Sequence, residues 1–199
     1  LGEGTSAFYY ADSDQWLGTL TEIVLTDGYW VVIDGIDTLD VEGVPTESST
    51  VYDLHLHTNL ISYPFAGSAP IEETIPDGAQ SSIDAIMSEG MAAMNSGFGW
   101  VGALVNLSGT EGYWFITNAE VSFAFDPPAE GAARMASESL IREVPSEYTF
   151  KQSTQQAFYF VNNATIGGEP LEKEDLIIAY NGDVRVGSRL WYGETTDVP

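Results

Sequence analysis

Residues 89–114 read EGMAAMNSGFGWVGALVNLSGTEGYW, and residues 3–30 read EGTSAFYYADSDQWLGTLTEIVLTDGYW. From Trp16 to Gly28-Tyr29-Trp30 the first stretch aligns without a gap on Trp100 to Gly112-Tyr113-Trp114. Between Glu-Gly and Trp, the copy at 89–100 is two residues shorter. Such recurrence is the signature of an array of like units rather than of one catalytic globule. Upstream of Glu89 lies a further stretch, Tyr52 to Met87, with no counterpart before Glu3. Residues 1–45 are therefore expected to be the C-terminal half of a β repeat. Its first half would precede Leu1 or come from another chain. Residues 51–128 are expected to be a complete copy.

The rest of the organisation follows from composition and turn residues. Short strands are expected at 6–10, 16–25, 29–33 and 38–41, punctuated by Asp12-Ser13-Asp14, Asp27-Gly28 and Asp34-Gly35. In the complete copy, strands are expected at 52–63, 90–95, 100–107, 113–117 and 121–125. Residues 71–87 carry the one helical spacing, with Ser81-Ser82 as caps and Ile83, Ile86 and Met87 on one face. Residues 129–147 read as a linker. Residues 148–199 form a distinct β module that also reads as cut short, with strands at 157–161, 176–180 and 184–191. Asn181-Gly182 is its hairpin signal. The fold class is mainly β: tandem small sandwich-like or barrel-like modules with one short helix.

The chain has 199 residues, 44% of them hydrophobic and 12% aromatic, so a core can be buried. Six basic residues stand against 30 acidic ones, a net charge of −24. That field repels nucleic acid and anionic lipid, since both are bound through Lys and Arg. With no Cys there is no disulfide framework, thiol nucleophile or thiolate metal site. No apolar run reaches the roughly 18 residues of a membrane span, so no membrane insertion is expected.

Catalytic constellations are hard to assemble from these residues. Asp53-Leu54-His55-Leu56-His57-Thr58 resembles the opening of the PHP phosphoesterase family, whose metal cluster needs several later histidines. None follows His57, so His55 and His57 are left as weak candidates for a transition-metal ion. No Gly-x-Ser-x-Gly elbow or phosphate loop is present. Asp12 and Asp14, or Asp34, Asp37 and Asp40, are candidate calcium ligands, although none has the spacing of an EF-hand loop. No other cofactor is expected. In Gly28-Tyr29-Trp30 and Gly112-Tyr113-Trp114 the glycine admits a tight turn and the rings cover a core. The preferred reading of this motif, with Trp16 and Trp100, is structural. Trp191 and Tyr192, near the C-terminal end, are the more open candidates for stacking on sugar rings.

Two sets of residues carry a resemblance. Asn59-Leu60-Ile61-Ser62-Tyr63-Pro64, then Ile75-Pro76, Glu89-Gly90, Trp100-Val101-Gly102 and Gly112-Tyr113-Trp114, resemble β-rich repeat modules of large secreted or cell-surface proteins. These belong to marine and Bacteroidetes-like bacteria and look like cargo of a type IX secretion system. Gln156-Ala157-Phe158-Tyr159-Phe160, Ala179-Tyr180-Asn181-Gly182-Asp183 and Val186-Gly187-Ser188-Arg189 resemble the module that often follows. The resemblance implies no catalytic residues. It implies an extracellular or cell-surface building block, part of an adhesin, matrix protein or filament, whose partners are other copies of itself or adjacent modules. The alternative is a polysaccharide-binding accessory module of a secreted hydrolase.

Overall fold

A computed structural model of the chain describes residues 1–40, 42–128, 143–151 and 156–199. The protein is mainly β. Its strands are β1 (Ala7–Tyr10), β2 (Gln15–Gly18), β3 (Tyr52–Leu54), β4 (His57–Ser62), β5 (Ser68–Pro70), β6 (Ile83–Ser88) and β7 (Met91–Asn95). They continue with β8 (Trp100–Gly102), β9 (Asn106–Ser108), β10 (Gly112–Thr117), β11 (Val121–Phe123), β12 (Tyr159–Val161), β13 (Thr165–Ile166) and β14 (Glu169–Pro170). β15 (Leu176–Asn181), β16 (Val184–Leu190) and β17 (Thr196–Val198) close the chain. Two single-turn helices, α1 (Ile71–Thr74) and α2 (Asp77–Gln80), follow β5.

The centre is an antiparallel sheet in the order β4-β10-β6-β7-β8, and the other strands form two-stranded ribbons. Alternation along β10 sends Tyr113, Phe115 and Thr117 inward. There Tyr113 and Phe115 meet Tyr52, Leu54, Ile71, Ile75, Ile86, Leu107 and Phe123 in one cluster. Phe125 is its hub, presenting edges to Tyr52, Tyr63 and Phe123 at centroid distances of 5.0, 5.4 and 5.0 Å. Each such ring pair adds about 0.5–1.5 kcal/mol beyond the area it buries.

Several expectations fail here: of the strand expected at 16–25 only residues 16–18 form one, that at 100–107 is split into β8 and β9, and two further failures have identifiable reasons. Residues 83–88 form a strand, β6, and the helix stops at Gln80. A bulge in the β6–β10 pairing, where Ile116 faces Ala85 and Thr117 faces Ile83, brings Ile83 and Ile86 to the same buried side. An apolar spacing of three is thus a bulged strand, although it mimics a helix. Residues 52–63 are not one strand. The chain breaks at His57, whose φ of +82° is rare for a side-chain-bearing residue. Asn59 holds the break by accepting His55 N–H and donating to the His55 carbonyl, both at 2.9 Å. β3 then pairs with β11 while β4 pairs with β10.

Most of the expected 129–147 linker lies outside the described residues, as does Val41. Residues 29–33 and 38–40 form no strand. The C-terminal hairpin turns one position later than the Asn181-Gly182 signal implied. Asn181 pairs with Val184, and Gly182, at φ +62°, is the first central residue. Arg185 ties residues 147–149 to β16 by donating to the carbonyls of Glu147 and Thr149 at 2.7 and 2.9 Å.

Candidate interaction sites

The two recurring stretches build the same local device. In β1–β2, Ala7 faces Gly18; in β7–β8, Ala93 faces Gly102. Both glycines have positive φ, +152° and +125°. A Cβ on either would lie 2.0 Å from the Ser6 carbonyl oxygen or 2.3 Å from that of Ala92. Gly4 and Gly90 turn at φ +65° and +70°. The motif tyrosines also match: Tyr29 hydroxyl accepts Val24 N–H at 2.8 Å, and Tyr113 hydroxyl accepts Ser108 N–H at 2.7 Å. Tyr113 also donates to Glu111 at 2.8 Å. Its burial pushes the phenol above its usual range, so it stays a neutral donor.

The Gly-Tyr-Trp motifs flank one strand. Tyr113 pairs with Ile61 on one side of β4. On the other, Asp27 bridges Ile61, Gly28 N–H donates to the Leu60 carbonyl at 2.9 Å, and Ser62 N–H to that of Thr26 at 3.0 Å. A Cβ on Gly28 would lie 2.7 Å from the Ile61 oxygen, and one on Gly112 would lie 3.3 Å from Gly28 Cα. Close packing of three backbones is what these glycines permit. The Glu3 carboxylate completes the joint, accepting Leu60 N–H at 3.1 Å and meeting His55 Nε2 at 2.6 Å.

That contact also decides the histidine question. His55 is occupied by Glu3 and, through Nδ1, by the Leu56 carbonyl at 2.8 Å. The Leu56 carbonyl, then Glu3, raises its pKa above the ordinary value. His57 sits beyond the backbone break and is exposed. Among the described residues no group of three His, Cys, Asp or Glu side chains could hold an ion. Of the candidate calcium ligands, Asp14 accepts the Tyr9 hydroxyl at 2.7 Å.

Trp100 donates its indole N–H to Gln80 at 3.1 Å, under the α1–α2 segment. Trp16 at the matching position is open to solvent beside Tyr9, their ring centroids 5.5 Å apart. The contrast extends along the alignment and, in the same register, past Trp30 and Trp114. Ile23 is 74% exposed and Leu107 0%; Val31 is 69% and Phe115 0%; Leu39 is 81% and Phe123 6%.

A second joint, without any sequence signal, attaches residues 184–199 to the central sheet. Asp197 is fully buried, and its carboxylate accepts Ala103 N–H at 2.7 Å and Ala92 N–H at 3.2 Å. Arg189 donates to it at 3.2 Å and also reaches the Gly90 carbonyl. Burial pushes the Asp197 pKa up, while Arg189 and the two amides pull it back. Phe160 packs over Gly102, and Pro199 crosses Gly187 so closely that a Cβ there would lie 1.6 Å from its carbonyl oxygen.

This placement corrects the expectation for Trp191 and Tyr192. Trp191 is 6% exposed and leaves no ring face for a sugar; its backbone pairs with Asp175 and Glu174. The Tyr192 hydroxyl is buried, and that burial raises its pKa. Closeness to residue 199 says little about exposure when the last strand, β17, is itself buried.

No protein-family model matches the chain, and neither a curated protein nor a solved structure matches it. No helix among the described residues is long and apolar enough to cross a membrane.

Proposed function

We propose that this chain is a non-enzymatic building block of an extracellular surface protein, matrix or filament, made of tandem sandwich-like β units that associate by packing and strand pairing. One observation carries the reading: Ile23, Val31 and Leu39 are exposed where their counterparts Leu107, Phe115 and Phe123 are buried. Covering each such side chain contributes roughly 1.5–3 kcal/mol, and large apolar side chains left exposed together favour an interaction that covers them. The partner that fits is a strand-and-turn segment with the pattern of residues 52–88, from another copy or an adjacent module. The shared hairpin register and matching tyrosine contacts support treating the two stretches as copies of one unit.

Sedimentation of the full chain over a wide concentration range tests this. Self-association that Val31→Asp with Leu39→Asp abolishes is the expected result. A monomer at every concentration, with residues 19–40 protected from exchange, contradicts it.

The second reading, a polysaccharide-binding accessory module, now draws on Tyr9 and Trp16, the exposed aromatic pair of β1–β2. Retention on an insoluble glycan that Trp16→Ala removes would favour it.

A further inference from the structure

The slot filled by Asp197 has a twin in the first hairpin, which the Thr19 side chain closes. We propose that the gap between β7 and β8 is a receptor for a carboxylate carried on an edge strand, and that the side chain at position 103 selects which hairpin of this kind accepts one. The inference rests on reading the two hairpins as copies of one unit.

In the first hairpin the slot is closed from within. Thr19 Oγ1 accepts Ser6 N–H at 3.3 Å, and the Ser6 carbonyl accepts Thr19 N–H at 2.9 Å and Leu20 N–H at 3.0 Å. In the second hairpin Leu104 N–H still bonds the Ala92 carbonyl, at 3.1 Å. Position 103 is alanine, however, and has no hydroxyl to turn inward. Ala92 N–H and Ala103 N–H, the counterparts of the Ser6 and Thr19 amides, instead point to the Asp197 carboxylate. A buried carboxylate is tolerated only where donors replace water. These two amides and the Arg189 guanidinium supply them.

The occupant is equally defined. It is an edge strand bearing Asp with an Arg on the neighbouring strand, here Asp197 of β17 and Arg189 of β16. An aromatic ring covers the hairpin glycine, as Phe160 covers Gly102. A hairpin with alanine at this position therefore receives the C-terminal module. A hairpin with threonine is self-satisfied and does not.

The test uses the full chain with a protease recognition sequence placed between residues 128 and 143, cut after folding. The dissociation constant between the two pieces is then measured by sedimentation. The unaltered pieces are expected to stay together. Ala103→Thr and Asp197→Asn should each weaken the association tenfold or more while the pieces keep their near-ultraviolet circular dichroism. Ala103→Gly and Thr19→Ala should leave it unchanged. Equal affinity in Ala103→Thr and the unaltered chain overturns the proposal. So does weakening in Ala103→Gly as large as in Ala103→Thr, or a loss of tertiary signal in both weakened variants. None of these outcomes bears on self-association through residues 19–40, so the two readings fail separately.

Discussion

Ile23, Val31 and Leu39 stand in solvent, whereas Leu107, Phe115 and Phe123, their partners in the alignment, share one core with Tyr52, Ile71 and Ile86. The local chemistry of the two regions is nearly the same: hairpin register, left-handed glycines and a tyrosine hydroxyl closing the turn. What differs is neighbours. Gly112–Thr117 lies between β4 and β6 and is a strand; residues 29–33, with no such pair of flanking strands, are not. Strand formation here depends on the partner more than on the residues themselves.

Substitutions at aligned positions should exaggerate or erase that difference. The largest gap is expected for Phe115→Ala against Val31→Ala. The first empties a fully buried site and should cost about 3–5 kcal/mol in denaturant unfolding. The second removes an exposed side chain and should stay within about 0.5 kcal/mol. Similar losses at both positions would mean that residues 19–40 already have a core.

Gly102→Ala and Gly18→Ala come next. Both put a Cβ against a carbonyl oxygen at positive φ, so each should cost about 1–3 kcal/mol of whatever structure it supports. Global unfolding should register only Gly102→Ala, because β1–β2 is an outlying ribbon. Hydrogen exchange in residues 6–20 should register Gly18→Ala.

Tyr113→Phe strands the Ser108 amide and should cost about 1–2 kcal/mol, with Tyr29→Phe smaller because Val24 is exposed to water. Smallest is the pH effect at the Glu3–His55 contact. The folded pKa of His55 is raised, so its contribution is complete below the unfolded value near 6.5 and fades as pH rises through the folded one. Both groups are largely exposed, which keeps the effect small. Glu3→Gln should move the His55 titration, followed by NMR, down towards the ordinary value; an unmoved titration would remove Glu3 from the joint.

The same dependence on neighbours explains what could be read from the chain. The β class, the strands expected at 90–95 and 113–117 and the hairpin near Gly182 were legible because period-two patterning and turn glycines are local, whereas the strand expected at 100–107 is split into β8 and β9. β6 was not, since its bulge gives Ile83 and Ile86 a helical spacing. The break at His57 depends on Asn59 and on Thr117, whose hydroxyl donates to the His55 carbonyl from β10. The Asp197 slot joins residues 94 and 105 positions apart, and its donors are backbone amides that carry no residue signature. The burial of Trp191 was not legible either, since it goes with that of β17, the strand after it, whose three residues are all buried.

The most direct measurement is hydrogen exchange across residues 19–40 in two forms of the protein at low concentration: the chain alone, and the chain with a second copy of residues 51–88 joined ahead of Leu1. Exchange as fast as in an open loop in the first form, slowed a hundredfold or more towards that of residues 103–124 in the second, is the expected result. Equal protection of 19–40 and 103–124 in the chain alone, or no change on adding the segment, would contradict the claim that residues 1–40 are a half-unit awaiting its partner.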